Sequence, residues 1–279
     1  MTVCFILGSN GMLGTYVKTY FERQKFIQIM CIDKTILDAT KPDKLDELDW
    51  LIRRHNPSYI INCIGLIRQR TDSTSKDMFL VNSVFPQVLF TFLKYSHPTI
   101  QLVHISTDCV YTHNENCIDE TREHQLLEDK NDVYGTSKSC GENANMMIIR
   151  TSIIGEETQN KRSLIEFVKN AQEETLYGYT DHRWNGITCL ELTKFLYHIV
   201  QNELHWSGVR HVFSPDIVSK FDLICLINEV WDCKKNIKPI EKGVKYLCLT
   251  TRYPNLVWTP PTIKQQLQEC YDFGIQERK

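Results

Sequence analysis

The stretch that most limits what this chain can become is its beginning. An apolar run, Val3-Cys-Phe-Ile-Leu7, leads directly into Gly8-Ser-Asn10-Gly11-Met12-Leu13-Gly14, and Thr15 to Arg23 then carries helical periodicity. Glycine permits the tight turn and lets backbone N–H groups approach a bound anion, which the positive end of the following helix favours. Strand, glycine turn and helix in that order open a βαβ unit able to hold a dinucleotide pyrophosphate. The spacing is Gly-x-x-Gly-x-x-Gly and not the Gly-x-Gly-x-x-Gly of many dehydrogenases. The alternative reading is a strand-to-helix turn that binds nothing.

Further along, the strand-like runs Ile27–Ile32, Tyr59–Ile64, Gln101–Ser106 and Met146–Arg150 alternate with helix-length segments. That alternation predicts an α/β fold, a Rossmann-type doubly wound parallel sheet covered on both faces. After about Gly155 the pattern breaks into shorter helices punctuated by Trp184-Asn-Gly186, Ser214-Pro215 and Tyr253-Pro254. Residues 1–155 are therefore read as the dinucleotide domain and 156–279 mainly as a smaller substrate-binding lobe, with crossing between the two allowed. Open α/β sheets bind ligands beyond the carboxyl ends of their strands, so such a lobe would close a cleft there.

Charge narrows the partners. A net charge of −2, with 24% charged residues, provides no broad positive field for nucleic acid or an anionic membrane. The N-terminal apolar run lacks a basic leader, and no later segment reads as long enough to cross a bilayer, which leads us to expect a cytoplasmic protein. The eleven cysteines form no Cys-x-x-Cys pair. With Cys4, Cys31 and Cys63 inside apolar runs they read as reduced, buried thiols, and no metal site is expected. His104, His198 and His211 lie in apolar patterns and read as core or boundary residues, while Glu115–Asp132 reads as a solvated loop over the cleft.

Two separated groups carry chemistry. The strand over 101–106 runs into Ser106-Thr107-Asp108-Cys109, and twenty-five positions past Cys109 stands Tyr134-Gly-Thr-Ser-Lys138. Four residues apart on a helix, Tyr134 and Lys138 share a face. Reducing a ketone needs hydride at carbon and a proton at oxygen, and a phenol gives up its proton more readily beside an ammonium. Thr107 would hydrogen-bond the carbonyl as charge develops on it, and Asn82 would support the lysine through a water. Asp33, closing the second strand, can accept from the adenosine ribose, whereas Lys34 beside it would favour a 2′-phosphate, so NADH and NADPH both stay open. Asp38 and Ala39 are further candidates for the adenine side.

This ordered set resembles the extended short-chain dehydrogenase/reductases, specifically their dTDP-4-dehydrorhamnose reductase-like branch. The resemblance rests on Gly8–Gly14, Asp38-Ala-Thr40, Ile61-Asn-Cys63, Val81-Asn82, Ile105-Ser-Thr-Asp108, Tyr134–Lys138 and Arg150-Thr-Ser152, with an echo in Ser219-Lys-Phe-Asp222. It implies that Thr107, Tyr134 and Lys138 form a catalytic triad, that Cys63, Ile64, Gly65 and Asn82 join the cofactor side, and that the substrate is a nucleotide-linked 4-keto-6-deoxy sugar supplied by a 4,6-dehydratase. Cys109 stands where rhamnose-type reductases usually carry tyrosine. It matches the acid/base cysteine of GDP-fucose synthase-like and plant-type rhamnose synthase enzymes, which epimerise before reducing. Their partner His or Lys has no clean counterpart, and Lys161 is the candidate.

The segment Gly178–Thr188 resembles reductase-like proteins of surface-polysaccharide pathways, some tied to 2-acetamido-2,6-dideoxy-L-hexoses. Within it Trp184 offers an apolar face, while Arg162, Arg183 or Arg252 could pair with a diphosphate, and Asp108 joins Thr107 on the substrate side. The resemblance leaves room for a 4-reductase without epimerase activity, for a non-catalytic regulatory subunit of the same fold, and for a homodimer.

Overall fold

A computed structural model of the chain describes residues 2–67, 74–111, 117–124, 133–159, 161–253 and 258–275. In chain order the first half runs β1 (Thr2–Leu7), α1 (Met12–Arg23), β2 (Ile27–Ile32), α2 (Asp46–His55) and β3 (Tyr59–Asn62). It continues through α3 (Ser75–Phe79), a π-helical turn at Leu80–Val84, α4 (Phe85–Ser96), β4 (Gln101–Thr107), a 3₁₀ turn at Asp108–Val110, α5 (Val133–Cys140) and β5 (Met147–Thr151). The second half contributes β6 (Ile153–Ile154), α6 (Leu164–Asn170), β7 (Thr175–Tyr179), β8 (His182–Trp184), β9 (Ile187–Thr188), α7 (Cys189–Gln201) and β10 (Gly208–His211). Then come β11 (Val218–Ser219), α8 (Lys220–Val230), β12 (Asn236–Ile240), β13 (Lys245–Leu247) and α9 (Ile263–Phe273).

The central sheet has six strands in the order β10-β5-β4-β3-β1-β2, every pair parallel. Strand β1 shows why it is covered twice. Its alternate residues Cys4 and Ile6 join a core with Tyr16, Val17 and Phe21 of α1 and Leu192, Phe195 and Leu196 of α7. Phe5 and Leu7, pointing the other way, join Leu48 and Ile52 of α2 and Phe85, Leu89 and Leu93 of α4. A period of two with both phases apolar is the mark of a strand buried on both sides.

The chain leaves this unit after β5 and comes back, because β9, α7 and β10 fold onto the sheet and its α1 face. The smaller lobe is α6, β7, β8, α8 and their neighbours, with a separate core of Ile165, Val168, Leu176, Trp184, Leu223, Ile227 and Leu267. Helix α9 ties the two together. Gln266 accepts from Thr188 N–H at 3.0 Å and donates to Ser214 Oγ at 2.7 Å, while Cys270 lies 3.1 Å from the hydroxyl of Tyr16.

Helices α3 and α4, joined by the π turn, form one helix of 22 residues from Ser75 to Ser96, long and apolar enough by length and composition to cross a bilayer. The expectation that no segment reaches that length is therefore corrected. Here its apolar stripe of Met78, Val81, Phe85, Leu89 and Leu93 lies in the core beside β1 and β3. The cysteines among the described residues are all free, but Cys117 and Cys140 are exposed, which corrects their reading as uniformly buried. Much of the acidic run 115–132 lies outside the described residues.

Candidate active site

The glycine turn fits a dinucleotide on its own geometry. Gly8 has φ +75°, a conformation that glycine adopts without strain. A Cβ on Gly14 would stand 2.1 Å from the carbonyl oxygen of Gly8, so only glycine lets α1 press this closely on the turn. Gly11 caps α1 with no side chain on the first turn, and its own N–H donates to Gly8 O at 3.0 Å. The amides of Met12, Leu13 and Gly14 thus face outward at the positive end of a helix, where a pyrophosphate is best stabilised.

At the end of β2 the exposed carboxylate of Asp33 accepts from Asn10 Nδ2 at 3.3 Å and from both Thr35 N–H (2.9 Å) and Thr35 Oγ1 (2.6 Å). These bonds, Thr35's first, hold Asp33 below the usual carboxylate range. The ion stands beside the turn, with exposed Lys34 next to it. Asp38 is engaged locally, accepting from Thr40, and Ala39 is buried.

The floor of the cleft is fixed by buried amides. Asn62 Nδ2 donates to His104 Nδ1 at 3.1 Å, and Asn62 Oδ1 accepts from Ile64 N–H at 3.1 Å, which shapes the segment Cys63–Gly65. Burial holds His104 neutral, its pKa down at about 3. Asn82 sits within the π turn, a local distortion common at functional sites. Its Oδ1 accepts from Leu66 N–H (2.8 Å), and its Nδ2 donates to Leu66 O (2.9 Å) and Ser137 Oγ (3.0 Å). Asn82 therefore clamps the loop after β3 to the helix carrying Tyr134 and Lys138.

Lys138 is buried and donates from Nζ to Ile105 O at 2.8 Å, two residues before Thr107 on β4. Burial lowers its pKa to about 8, against the opposing pull of Glu142 and Cys63. Burial likewise keeps the Cys63 thiol protonated, its pKa pushed up to about 12. Tyr134, half-buried one turn before Lys138, packs at the edge of the α2/α4 core.

Thr107 ends β4 in register with Thr151 of β5 and is buried. Its Oγ1 accepts from Cys109 N–H at 3.2 Å and donates to Asp108 Oδ1 at 3.2 Å, while Cys109 Sγ donates to the same Asp108 oxygen at 3.7 Å. Turning the Thr107 hydroxyl to a substrate carbonyl exchanges one acceptor for another and needs no backbone motion.

Behind these groups is a buried ion-pair network that sequence reasoning missed. Glu142, past the end of α5, accepts from Ser106 Oγ (2.5 Å) on β4 and from Arg150 Nε (2.9 Å) on β5. Arg150 also donates to the Tyr111 hydroxyl, which meets His211 Nε2 at 2.9 Å. The network locks α5 against the strands that carry Thr107. Arg150 was visible in the sequence only as part of the family resemblance.

Trp184 does not offer the open face expected of it. Trp184 is fully buried and donates from Nε1 to Ser152 Oγ at 2.9 Å, so its ring belongs to the lobe's core and is not an open platform for a ligand. Lys161 is exposed in a left-handed backbone conformation (φ 47°) ahead of α6. Arg252 is exposed and packs over Tyr253, its backbone N–H held by Glu120. Arg162 and Arg183 are exposed, and Asp108 is buried beside Thr107. No group of metal-binding side chains occurs among the described residues.

The family described as the RmlD substrate binding domain matches residues 1–246. The chain belongs to this family. Among solved structures, a dTDP-4-dehydrorhamnose reductase from Bacillus anthracis in complex with NADP superposes with a TM-score of 0.81 at 19% identity, covering 98% of this chain and 99% of the other. The dTDP-4-dehydrorhamnose reductase of Clostridium acetobutylicum gives 0.79 at 19% identity over 97% and 99%. A GDP-mannoheptose C4 reductase from Campylobacter jejuni with NADP bound gives 0.75 at 13% identity over 98% of both chains. No curated protein sequence was found to match the chain. Family and site together make this RmlD-family chain an oxidoreductase of the extended short-chain dehydrogenase/reductase type.

Proposed function

We propose that this chain uses NADPH or NADH to reduce the 4-keto group of a UDP- or dTDP-linked 4-keto-6-deoxyhexose, rhamnose-type or its 2-acetamido analogue, and that Cys109 couples the reduction to epimerisation at C3, or at C3 and C5. The carrying observation is the anchoring of Lys138 to Ile105 O on the same strand that ends in Thr107, with Tyr134 one helical turn away. A dinucleotide supplies hydride to the carbonyl carbon. Tyr134 hands its proton to the carbonyl oxygen, and the ammonium of Lys138 eases that transfer by favouring the phenolate left behind. Thr107 donates to the same oxygen as charge accumulates.

Before reduction, the protons on carbons flanking the ketone are acidified by it. A Cys109 thiolate removes one, the electron pair moves to the oxygen faced by Thr107 and Tyr134, and reprotonation from the other side inverts the centre. The reading places the enzyme in the cytoplasm downstream of a 4,6-dehydratase.

The test is direct. Purified protein given NADPH or NADH and the product of a UDP- or dTDP-glucose-type 4,6-dehydratase should oxidise the cofactor, and wild-type enzyme in deuterated water should introduce deuterium at C3 or C5, an exchange that Cys109→Ser abolishes. Absence of cofactor oxidation would overturn the reductase reading. Exchange that persists at full rate in Cys109→Ser would overturn the epimerase reading alone.

A further inference from the structure

Two cysteines far apart in the chain meet just past the catalytic turn. Ile118 pairs with Leu249 in a one-residue parallel bridge, its N–H donating to Cys248 O at 3.0 Å and its carbonyl accepting from Thr250 N–H at 2.9 Å. Cys117 and Cys248 each stand one residue before a member of that bridge, so the register sets them side by side. Neighbouring strands run about 4.8 Å apart, inside the Cα separation that a disulfide spans, but its Cβ atoms must approach to about 3.8 Å. Cys117 is exposed and has left the extended conformation (φ +25°), so its Cβ is released from the alignment that keeps regular parallel strands short of bonding. Cys248 is buried on the fixed side of the junction. Leu247 before it pairs with Trp184 of β8, and Asn185 clasps Leu249 after it, donating from Nδ2 to its carbonyl and accepting from its N–H, both at 2.8 Å.

We propose that Cys117 and Cys248 are a redox pair, a modification site at which a peroxide converts two thiols to a disulfide and staples residues 117–120 to residues 248–252. The division of labour follows from exposure. Cys117 meets a soluble oxidant directly, whereas Cys248 is shielded and reacts only with its neighbour. Burial first, and then the charge and hydrogen bond of Cys117, push the Cys248 thiol up to about 12, which makes it the slower nucleophile. An accessible cysteine poised beside a resolving one is the arrangement that redox-sensing sites share.

The Cys117 thiolate attacks one peroxide oxygen: an S–O bond forms, the O–O bond breaks, and the departing hydroxide takes a proton to become water. The Cys248 sulfur, giving up its proton, then attacks the Cys117 sulfenic sulfur. The S–S bond forms, the S–O bond breaks, and the second hydroxide leaves as water. Two thiols lose two electrons and the peroxide gains them. The staple reaches the catalytic turn through packing, because Ile118 and Leu249 share a small core with Val110 and Tyr111, which follow Cys109 directly. Glu120 reinforces the same junction, accepting from His211 N–H (2.9 Å), Thr251 Oγ1 (2.6 Å) and Arg252 N–H (2.9 Å). Oxidation therefore stiffens the packing next to the Asp108–Val110 turn, whatever sugar the cleft accepts.

The experiment maps the thiols of the full chain. Reduced wild-type protein is treated with hydrogen peroxide while folded, alkylated in denaturant, digested and read by mass spectrometry. The expected product is a peptide pair joined through Cys117 and Cys248 within one copy of the chain, reversed by dithiothreitol, while Cys140, also exposed, gains no partner in the chain. In Cys248→Ser, or in Cys248→Ala should thermal melting show the serine variant unfolded, Cys117 should stop at a sulfenic acid that dimedone captures. In the oxidised wild type the amides of Ile118 and Thr250 should exchange with deuterated water at least about threefold more slowly than in the reduced form. Cys248 recovered as an alkylated thiol after peroxide treatment of the wild type, or a link that joins two copies on a non-reducing gel, would overturn the pair. A link formed without slower exchange would overturn the staple.

Discussion

Glu142→Gln tests the frame that holds the catalytic helix. The side chains of Glu142 and Arg150 are 6% and 5% exposed, and their Arg150 Nη2 to Glu142 Oε2 contact is 2.5 Å. Burial by itself would raise the Glu142 pKa, but hydrogen bonds from His124, Arg150 and Ser106 together with the Arg150 charge carry it from 4.5 down to about 2. By linkage that difference is worth about 3 kcal/mol at neutral pH, in the range expected when one partner of a buried pair is removed. Because the folded value is depressed, the contribution is complete above the unfolded value and is lost as pH falls toward the folded one. Urea unfolding followed by circular dichroism should therefore show the variant less stable by about 3 kcal/mol near pH 7, with the gap narrowing to about 2 kcal/mol near pH 3.5. A neutral-pH loss below about 1 kcal/mol, or a gap that widens on acidification, would refute the assignment of Glu142 as the buried counter-ion of Arg150.

Other outcomes follow from the same geometry. Gly14→Ala drives a methyl group into the Gly8 carbonyl, so the turn must move away from α1: the variant should melt at a lower temperature than wild type and should bind NADPH or NADH at least about tenfold more weakly by calorimetry. Tyr134→Phe should cost at least about a hundredfold in the reduction rate, measured by loss of cofactor absorbance. The pKa of about 8 for Lys138 in the free enzyme means the ammonium is present below that pH, so kcat/KM should fall as pH rises through it, and a flat profile to pH 10 would exclude the role.

The layered sheet was legible because its strands are short apolar runs with a buried residue in both phases, as in Cys4-Phe-Ile-Leu7, separated by helix-length segments. The five strands expected from 3 to 150 appear within one or two residues of their anticipated ends. The sixth, Gly208–His211, escaped because its residues are half-buried at the sheet edge apart from His211, leaving no apolar run to read. Thr107, Tyr134 and Lys138 could be read because turn, strand end and helix spacing are local patterns. The burial of Trp184 could not, since it arises where β8 packs against Ser152 just past the end of β5, a contact set by tertiary packing.

The central claim is hydride delivery to a ketone carbon held beside Thr107 and Tyr134. Incubating the enzyme with 4-deuterated reduced cofactor, each C4 epimer in turn, and a 4-keto-6-deoxy nucleotide sugar, and then reading the product by NMR, measures that step itself. With one of the two epimers the product should carry a single deuterium at sugar C4, and the label should disappear in Tyr134→Phe on the same timescale. Cofactor binding without any deuterium at C4 from either epimer would contradict the account.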